Sequence, residues 1–281
     1  MIVISEVRRN MHLPLLILSC VCIAVICLSG SIYVSGDTIN IYKLLGMERK
    51  ELLRNYECCR TLVFSSGIGD WGKICFPLMV SMGFLYKNYH EKQSKMINFY
   101  IIRMSKIRYN VNKLVSLLIS SVITVVIGYL IYGLILYCKL PAPEAYGDEL
   151  KQMIFSLKNA KSEIQIIMNT FLAITMYTIF ICIFPYFVSL FFNDKYMLFS
   201  LPLLMNYVYE TVLARISTYA YGSGNDTAAA ILNMIDPMTP FNPYNEEVRF
   251  LALVFGICIL GLIFLLAIAW TRKVEASYGL E

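Results

Sequence analysis

Residues 114–138 read LVSLLISSVITVVIGYLIYGLILYC and contain no Asp, Glu, Lys or Arg. A helix needs about 20 predominantly apolar residues to cross the hydrocarbon core of a bilayer, and this stretch exceeds that length. Three further blocks are equally free of charge, at residues 10–36, 164–193 and 250–271. The four blocks therefore predict transmembrane helices.

The composition is that of a chain embedded in a membrane. Of 281 residues, 58% are apolar and 15% are charged, whereas a soluble domain carries about 25% charged residues. Most of the nine cysteines lie inside apolar blocks, where cysteine behaves as a small hydrophobe. No pair of them has zinc-site spacing with a histidine. We expect one membrane domain over residues 1–281, all-α, without a disulfide scaffold.

Two weaker apolar blocks bring the predicted number of spans to six. Residues 70–89 carry Lys73, and residues 196–215 carry Glu210. A charge at the centre of a bilayer costs about 2.5–3.5 kcal/mol on insertion scales, so we expect both charges near the outer interface, where the side chains can reach water. The predicted spans are residues 11–35, 70–89, 114–138, 164–192, 196–215 and 249–271.

Residues 90–113, between the second and third spans, form the most basic loop of the chain. They combine one acid with many bases: Glu91 against Lys92, Lys95, Arg103, Lys106, Arg108 and Lys113. Loops rich in Lys and Arg remain in the cytoplasm, which places both termini inside as well. The segments 36–69, 139–163 and 216–248 then lie outside the cell, and their sequences predict short helices.

The same loop has helical periodicity. Its apolar residues recur at steps of three and four, at Ile97, Tyr100, Ile101, Met104, Ile107 and Val111. This pattern predicts an amphipathic helix along the inner membrane surface. Such a helix can bind anionic lipid headgroups, or its exposed face can dock a cytoplasmic partner.

The order of residues in this loop resembles a known family. Residues 89–121, YHEKQSKMINFYIIRMSKIRYNVNKLVSLLISS, look like the loop between the second and third spans of type-2 ABC export permeases. Glu91 matches the family's acid, Arg103 with Ser105 its turn, and Tyr109 with Lys113 the start of its third span. Residues 238–244, MTPFNPY, look like the approach to the last span in Gram-positive members.

The resemblance implies a transporter subunit without its own enzyme activity. A separate ATPase subunit would bind ATP and Mg and dock on the loop, and a second permease chain, identical or paralogous, would complete the path. The location would be the cell membrane of a Gram-positive bacterium, and the cargo a hydrophobic or amphipathic peptide, antibiotic or lipid-like molecule. The implied coupling residues are Glu91, Tyr100, Ile101, Arg103, Met104, Ser105, Tyr109 and Lys113.

Two other functions remain open from the residues alone. An ion-coupled secondary transporter would need an acid inside a span, and Glu210 is the candidate, which also makes it a possible part of a substrate path. A membrane enzyme would need a convergent polar cluster, and the chain's two histidines, His12 and His90, are too few for a metal hydrolase. Residues 67–74 resemble a phosphate-binding loop, but Ile74 replaces the Ser or Thr that would hold magnesium.

Overall fold

A computed structural model describes residues 7–8, 10–66, 70–94, 96, 106–157, 160–192 and 194–222. In this part of the chain the fold is mostly helical, and three helical stretches are long and apolar enough to cross a membrane: Arg108–Tyr146, Glu163–Phe191 and Lys195–Ile216. The prediction of a mostly helical chain with candidate membrane spans is therefore confirmed at this coarse level. The predicted sixth span, residues 249–271, lies outside the described residues.

The elements follow one another with short connections. In chain order they are α1 (Leu13–Leu28), β1 (Ser31–Val34), β2 (Asp37–Asn40), α2 (Ile41–Leu44), α3 (Arg49–Leu52), a 3₁₀ turn (Tyr56–Cys58), α4 (Arg60–Phe64), α5 (Asp70–Gln93), α6 (Lys106–Lys139), a second 3₁₀ turn (Pro143–Tyr146), α7 (Asp148–Leu157), α8 (Glu163–Ile181), α9 (Ile183–Phe191) and α10 (Lys195–Gly222).

The first helix ends earlier than the sequence predicts. The expected span reaches residue 35, but α1 stops at Leu28, and β1 and β2 form an antiparallel hairpin in which Val34 pairs with Asp37. Ser35 and Gly36 form the turn with φ of 52° and 100°, the positive values that a tight two-residue hairpin turn requires. At 16 residues α1 is about 24 Å long, short of the roughly 30 Å core.

The fourth predicted span is interrupted. Residues 164–192 are expected as one helix with a bend near Pro185, and the structure divides them into α8 and α9 at Cys182. Proline has no N–H to donate to the carbonyl four residues earlier, which here belongs to Ile181. The helical ladder is therefore broken at the point where the first helix ends.

The fifth predicted span continues past its charged residue. Its sequence leaves open whether the helix extends beyond Glu210 or hands over to a re-entrant segment. In the structure α10 runs without interruption to Gly222. Asp194 begins this helix, because its carboxylate accepts hydrogen bonds from the N–H groups of Tyr196 and Met197 at 3.0 and 3.1 Å.

Small residues allow the helices to approach closely. A Cβ atom on Gly128 of α6 would lie 2.8 Å from Cγ2 of Ile23 in α1, and one on Gly83 of α5 would overlap the carbonyl oxygen of Asn10. The Cys20 thiol lies 3.5 Å from the Thr124 carbonyl oxygen across the same contact between α1 and α6. Such small-residue contacts are typical of helices packed in membranes.

The connecting segments gather at two opposite ends of the bundle. One end is called the hairpin end. There the backbone N–H of Arg60 donates a hydrogen bond to the Pro141 carbonyl at 3.1 Å, and the Tyr146 hydroxyl donates one to the Leu52 carbonyl at 3.0 Å. At the other, called the loop end, residues from the start of α1, the end of α5, the start of α6 and the end of α9 meet. The sequence assigns these two groups of segments to opposite sides of the membrane.

The hairpin end is better packed than its charged sequence suggests. Cys58 and Cys59 are 2% and 0% exposed and form no disulfide. Burial, together with the charge of Glu57, raises the pKa of Cys58 to about 11, so its thiol stays protonated and unreactive at neutral pH. In α7 Ile154 is buried, whereas Met153 beside it is exposed.

Candidate functional site

Three of the predicted coupling residues lie together at the loop end. They are Glu91 in the last turn of α5, and Tyr109 and Lys113 in the first two turns of α6. The other predicted coupling residues lie outside the described part of the chain: Tyr100, Ile101, Arg103, Met104 and Ser105.

A buried ion pair forms the centre of the site. Lys113 Nζ lies 3.0 Å from Glu91 Oε2, and the two side chains are 9% and 3% exposed. Lys113 also donates a hydrogen bond to Asn88 Oδ1, and the Tyr109 hydroxyl donates to Glu91 Oε2 at 3.5 Å. The second carboxylate oxygen, Oε1, is 3.6 Å from Lys87 Nζ. The Glu91 carboxylate is thus held by groups from both helices.

Helical spacing explains why these side chains converge. Lys87 and Glu91 are four residues apart on α5, and Asn88 is three residues before Glu91, so all three lie along one side of the helix. On α6, Lys113 follows Tyr109 by one turn, and its Nζ lies 4.9 Å from the centre of the Tyr109 ring. A cation over an aromatic face is stabilised by the ring's quadrupole.

Lys92 connects the same end of α5 to α9. Its Nζ donates hydrogen bonds to the carbonyl oxygens of Ser189 and Phe192 at 2.8 and 2.7 Å, and the Asn88 amide donates to Ser189 at 3.3 Å. The last carbonyls of a helix have no partner within it, and a cation there is favourable. Burial, followed by the nearby charge of Lys113, lowers the pKa of Lys92 to about 8.

Two further contacts complete the loop end. The Asn10 amide, just before α1, donates to the Ser116 hydroxyl of α6 at 2.9 Å. The Tyr186 hydroxyl of α9 donates to the Asn110 carbonyl of α6 at 3.4 Å. The buried ion pair and the three side chains around it are together called the loop-end cluster: Glu91 and Lys113, with Asn88, Lys92 and Tyr109.

The cluster fixes both attachment points of the basic loop. A buried ion pair is strongly destabilised when one partner is removed, because the remaining charge is left in a medium of low dielectric. The Glu91–Lys113 pair therefore holds the end of α5 to the start of α6. A displacement of the loop would be passed to α5, α6 and, through Lys92, to α9.

Sequence reasoning missed part of this cluster. Asn88 and Lys92 are not among the predicted site residues, although they lie three residues before and one residue after Glu91 on the same helix. Asn88 lies about one helical turn before Glu91, and this spacing could have identified Asn88 from the sequence. The sequence does not indicate the contacts of Lys92. Its partners are the backbone carbonyls of Ser189 and Phe192, and every residue has such a carbonyl.

The predicted substrate-path residue lies elsewhere. Glu210 lines an open groove of about 680 Å³ between α5 and α10, together with Tyr207, Thr211, Arg215 and, from α5, Ile74. The groove therefore combines a carboxylate, a guanidinium and apolar walls within a candidate membrane span.

Metal binding has no ligand set in the part of the chain that the structure describes, because no group of three or more His, Cys, Asp or Glu side chains lies close enough to hold an ion.

The chain was also compared with known proteins. No family model, curated protein or solved structure matches it.

Proposed function

We propose that this chain is the membrane-spanning permease subunit of an ATP-driven ABC exporter of the type-2 kind. A separate ATPase binds ATP and Mg and docks on the basic loop 90–113, and a second permease chain, identical or paralogous, completes the path across a bacterial cell membrane. The observation that supports this most is the buried Glu91–Lys113 pair at 3.0 Å.

The pair matters because a docking loop transmits movement only when its ends are held. A loop attached by flexible ends would absorb a displacement in its own backbone. Here Glu91 lies two residues before the end of α5, and Lys113 lies in the second turn of α6. Their contact holds the end of α5 and the start of α6 together, and Lys92 extends that connection to α9.

The groove beside Glu210 supports an amphipathic cargo. Its walls include Ile74 and Tyr207, and its polar groups include Glu210 and Arg215. Charged residues inside membrane spans commonly mark substrate or ion pathways. A molecule with an apolar body and a polar group would find complementary surfaces there, as expected for a peptide, an antibiotic or a lipid-like compound.

Photo-crosslinking tests the docking step. A benzophenone amino acid placed at Met96, which is 42% exposed beside the loop-end cluster, is compared with the same group at Tyr33, which is 65% exposed at the hairpin end. Both variants are irradiated in membranes of the source organism. We expect a protein with nucleotide-binding motifs to be linked from Met96 and not from Tyr33. Failure of Met96 to link any ATPase would refute the proposal.

Glu210 also favours a second candidate, an ion-coupled secondary transporter. A carboxylate in a candidate span can carry a proton or bind a cation. The two functions differ in energy source. Transport in vesicles that continues without ATP and stops when the ion gradient is collapsed would favour the second candidate, whereas dependence on ATP would favour the exporter.

A further inference from the structure

A second cavity lies at the opposite end of the bundle from the loop-end cluster. It has a volume of about 190 Å³, is lined by α4, α6 and α8, and is open on one side. Its inner wall consists of three aromatic rings, Phe64, Tyr129 and Phe171, whose centres are 5.8–6.3 Å apart. Gly133 has no side chain, which lets the Phe64 ring pack directly against α6: a Cβ atom there would lie 3.0 Å from Phe64 Cε2.

The cavity is apolar, and its volume is that of one apolar chemical group of a ligand. An engineered apolar cavity of about 150 Å³ stays free of water and binds benzene. Atoms that line an empty apolar space lack contact partners and gain dispersion energy when it is filled. A cavity of this size therefore accepts one apolar group, such as a segment of an alkyl chain, and not a whole amphiphile.

The entrance of the cavity faces the region where a bilayer would lie. Leu130 and Leu134 of α6 line it, and they are 49% and 64% exposed. Both belong to the candidate span Arg108–Tyr146. A ligand that reaches the cavity past these leucines comes from the hydrocarbon phase.

A charged group stands at the outer edge of the same cavity. Arg60 donates two hydrogen bonds to Glu163, from Nε at 2.7 Å and from Nη2 at 2.8 Å. Its guanidinium carbon lies 4.2 Å from the centre of the Tyr137 ring. A guanidinium has five N–H donors, so Arg60 keeps donors beyond the two that Glu163 accepts and the hydrogen bond to Tyr137. Phosphate oxygens, like those of a carboxylate, match the geometry of these donors.

We propose that this cavity binds a segment of one acyl chain of a membrane phospholipid, with the lipid phosphate at Arg60. The apolar walls hold the chain, the leucines admit it from the bilayer, and the guanidinium selects a ligand with a phosphate. The site is independent of the proposed export function and of which way the chain is inserted in the membrane.

Native mass spectrometry of the purified full chain tests this site. The chain is incubated with phosphatidylethanolamine and phosphatidylglycerol, with a long-chain alcohol that lacks phosphate, or with inorganic phosphate. We expect retained phospholipid, weaker binding of the alcohol and no binding of phosphate alone. Retention of the alcohol as strongly as the phospholipid would overturn the role of Arg60, and no retained phospholipid would overturn the site.

Cavity-filling variants provide the matched comparison. Ile167→Phe introduces a ring into the cavity, whereas Leu172→Phe adds the same ring on α8 at an exposed position that does not line it. We expect Ile167→Phe to weaken lipid binding on the order of tenfold, equivalent to about 1.4 kcal/mol, and Leu172→Phe to leave it unchanged. Phe171→Trp fills the space from another wall if Ile167→Phe does not fold. Equal binding by the filled and control variants would overturn the proposal.

Discussion

The two ends of the bundle are each held by an ion pair between distant parts of the chain, but the pairs differ in their surroundings. At the hairpin end Arg60 and Glu163 form a forked contact at 2.7 and 2.8 Å, with side chains 16% and 20% exposed. At the loop end Glu91 and Lys113 are 3.0 Å apart and almost fully buried.

This difference determines how each end responds to loss of a partner. Water can reach Arg60 or Glu163 and solvate the one that remains. Around Glu91 water is excluded, and the two groups paired with its carboxylate, Lys87 and Lys113, are both cations. The hairpin end is therefore held mainly by packing, whereas the loop end depends on one carboxylate.

The largest expected effect is that of Glu91→Gln. It removes the acid that pairs with Lys87 and Lys113 and leaves Lys113 buried without its counter-charge, which costs about 3–5 kcal/mol. Thermal unfolding in one detergent measures the loss. The double variant Glu91→Gln with Lys113→Met removes both charges, and we expect it to recover most of the stability. A single variant as stable as the unmodified chain would contradict the comparison.

Lys92→Met should have the second largest effect. It removes the hydrogen bonds to the Ser189 and Phe192 carbonyls at the end of α9. A hydrogen bond from a charged donor contributes about 1.5–3 kcal/mol to stability. Because Lys92 is partly exposed, we expect a loss near the lower figure. Hydrogen exchange of the last turn of α9 measures it, with Lys87→Met as the control on the same helix. Unchanged exchange would show that Lys92 does not hold α9.

Glu163→Gln should be milder. The Arg60 side chain keeps a hydrogen-bonding neighbour in the amide and remains open to solvent, so we expect about 1 kcal/mol or less. The same unfolding experiment used for Glu91→Gln measures it. If Glu163→Gln destabilised the chain as much as Glu91→Gln, the contrast between the two ends would be wrong.

The last expected effect concerns pH, and it is weakened because solvent reaches the partly exposed Lys92 side chain. The pKa of Lys92 is about 8 in the folded chain, against an ordinary value of 10.5. Between these values the unfolded chain binds more protons, so the contribution of Lys92 to stability rises with pH across this window and is lowest below pH 8. Arg60, whose pKa is raised by its bond to Glu163, stays charged throughout. The difference in unfolding free energy between the unmodified chain and Lys92→Met should therefore change from pH 7 to 10; a constant difference would contradict the lowered pKa.

The sequence predicts the helical character and the ends of the basic loop better than it predicts the contacts between segments. Glu91 and Lys113 were predicted together, and the structure brings them together. The hairpin at residues 31–40 was missed because its first strand continues the apolar run of α1 without a charge. The Arg60–Glu163 contact joins residues 103 positions apart, and no local pattern indicates a pairing over that distance.

Chemical labelling tests most directly whether the loop-end cluster transmits movement to the Glu210 groove, as the proposed function requires. A cysteine placed at Thr218, which is exposed and lines the Glu210 groove, is labelled with and without ATP in the assembled transporter. We predict that ATP changes the labelling rate in the otherwise unmodified chain. It should not do so in the stable double variant Glu91→Gln with Lys113→Met, although the ATPase remains bound. An equal ATP-dependent change in both chains would contradict a role for the buried pair in transmitting movement.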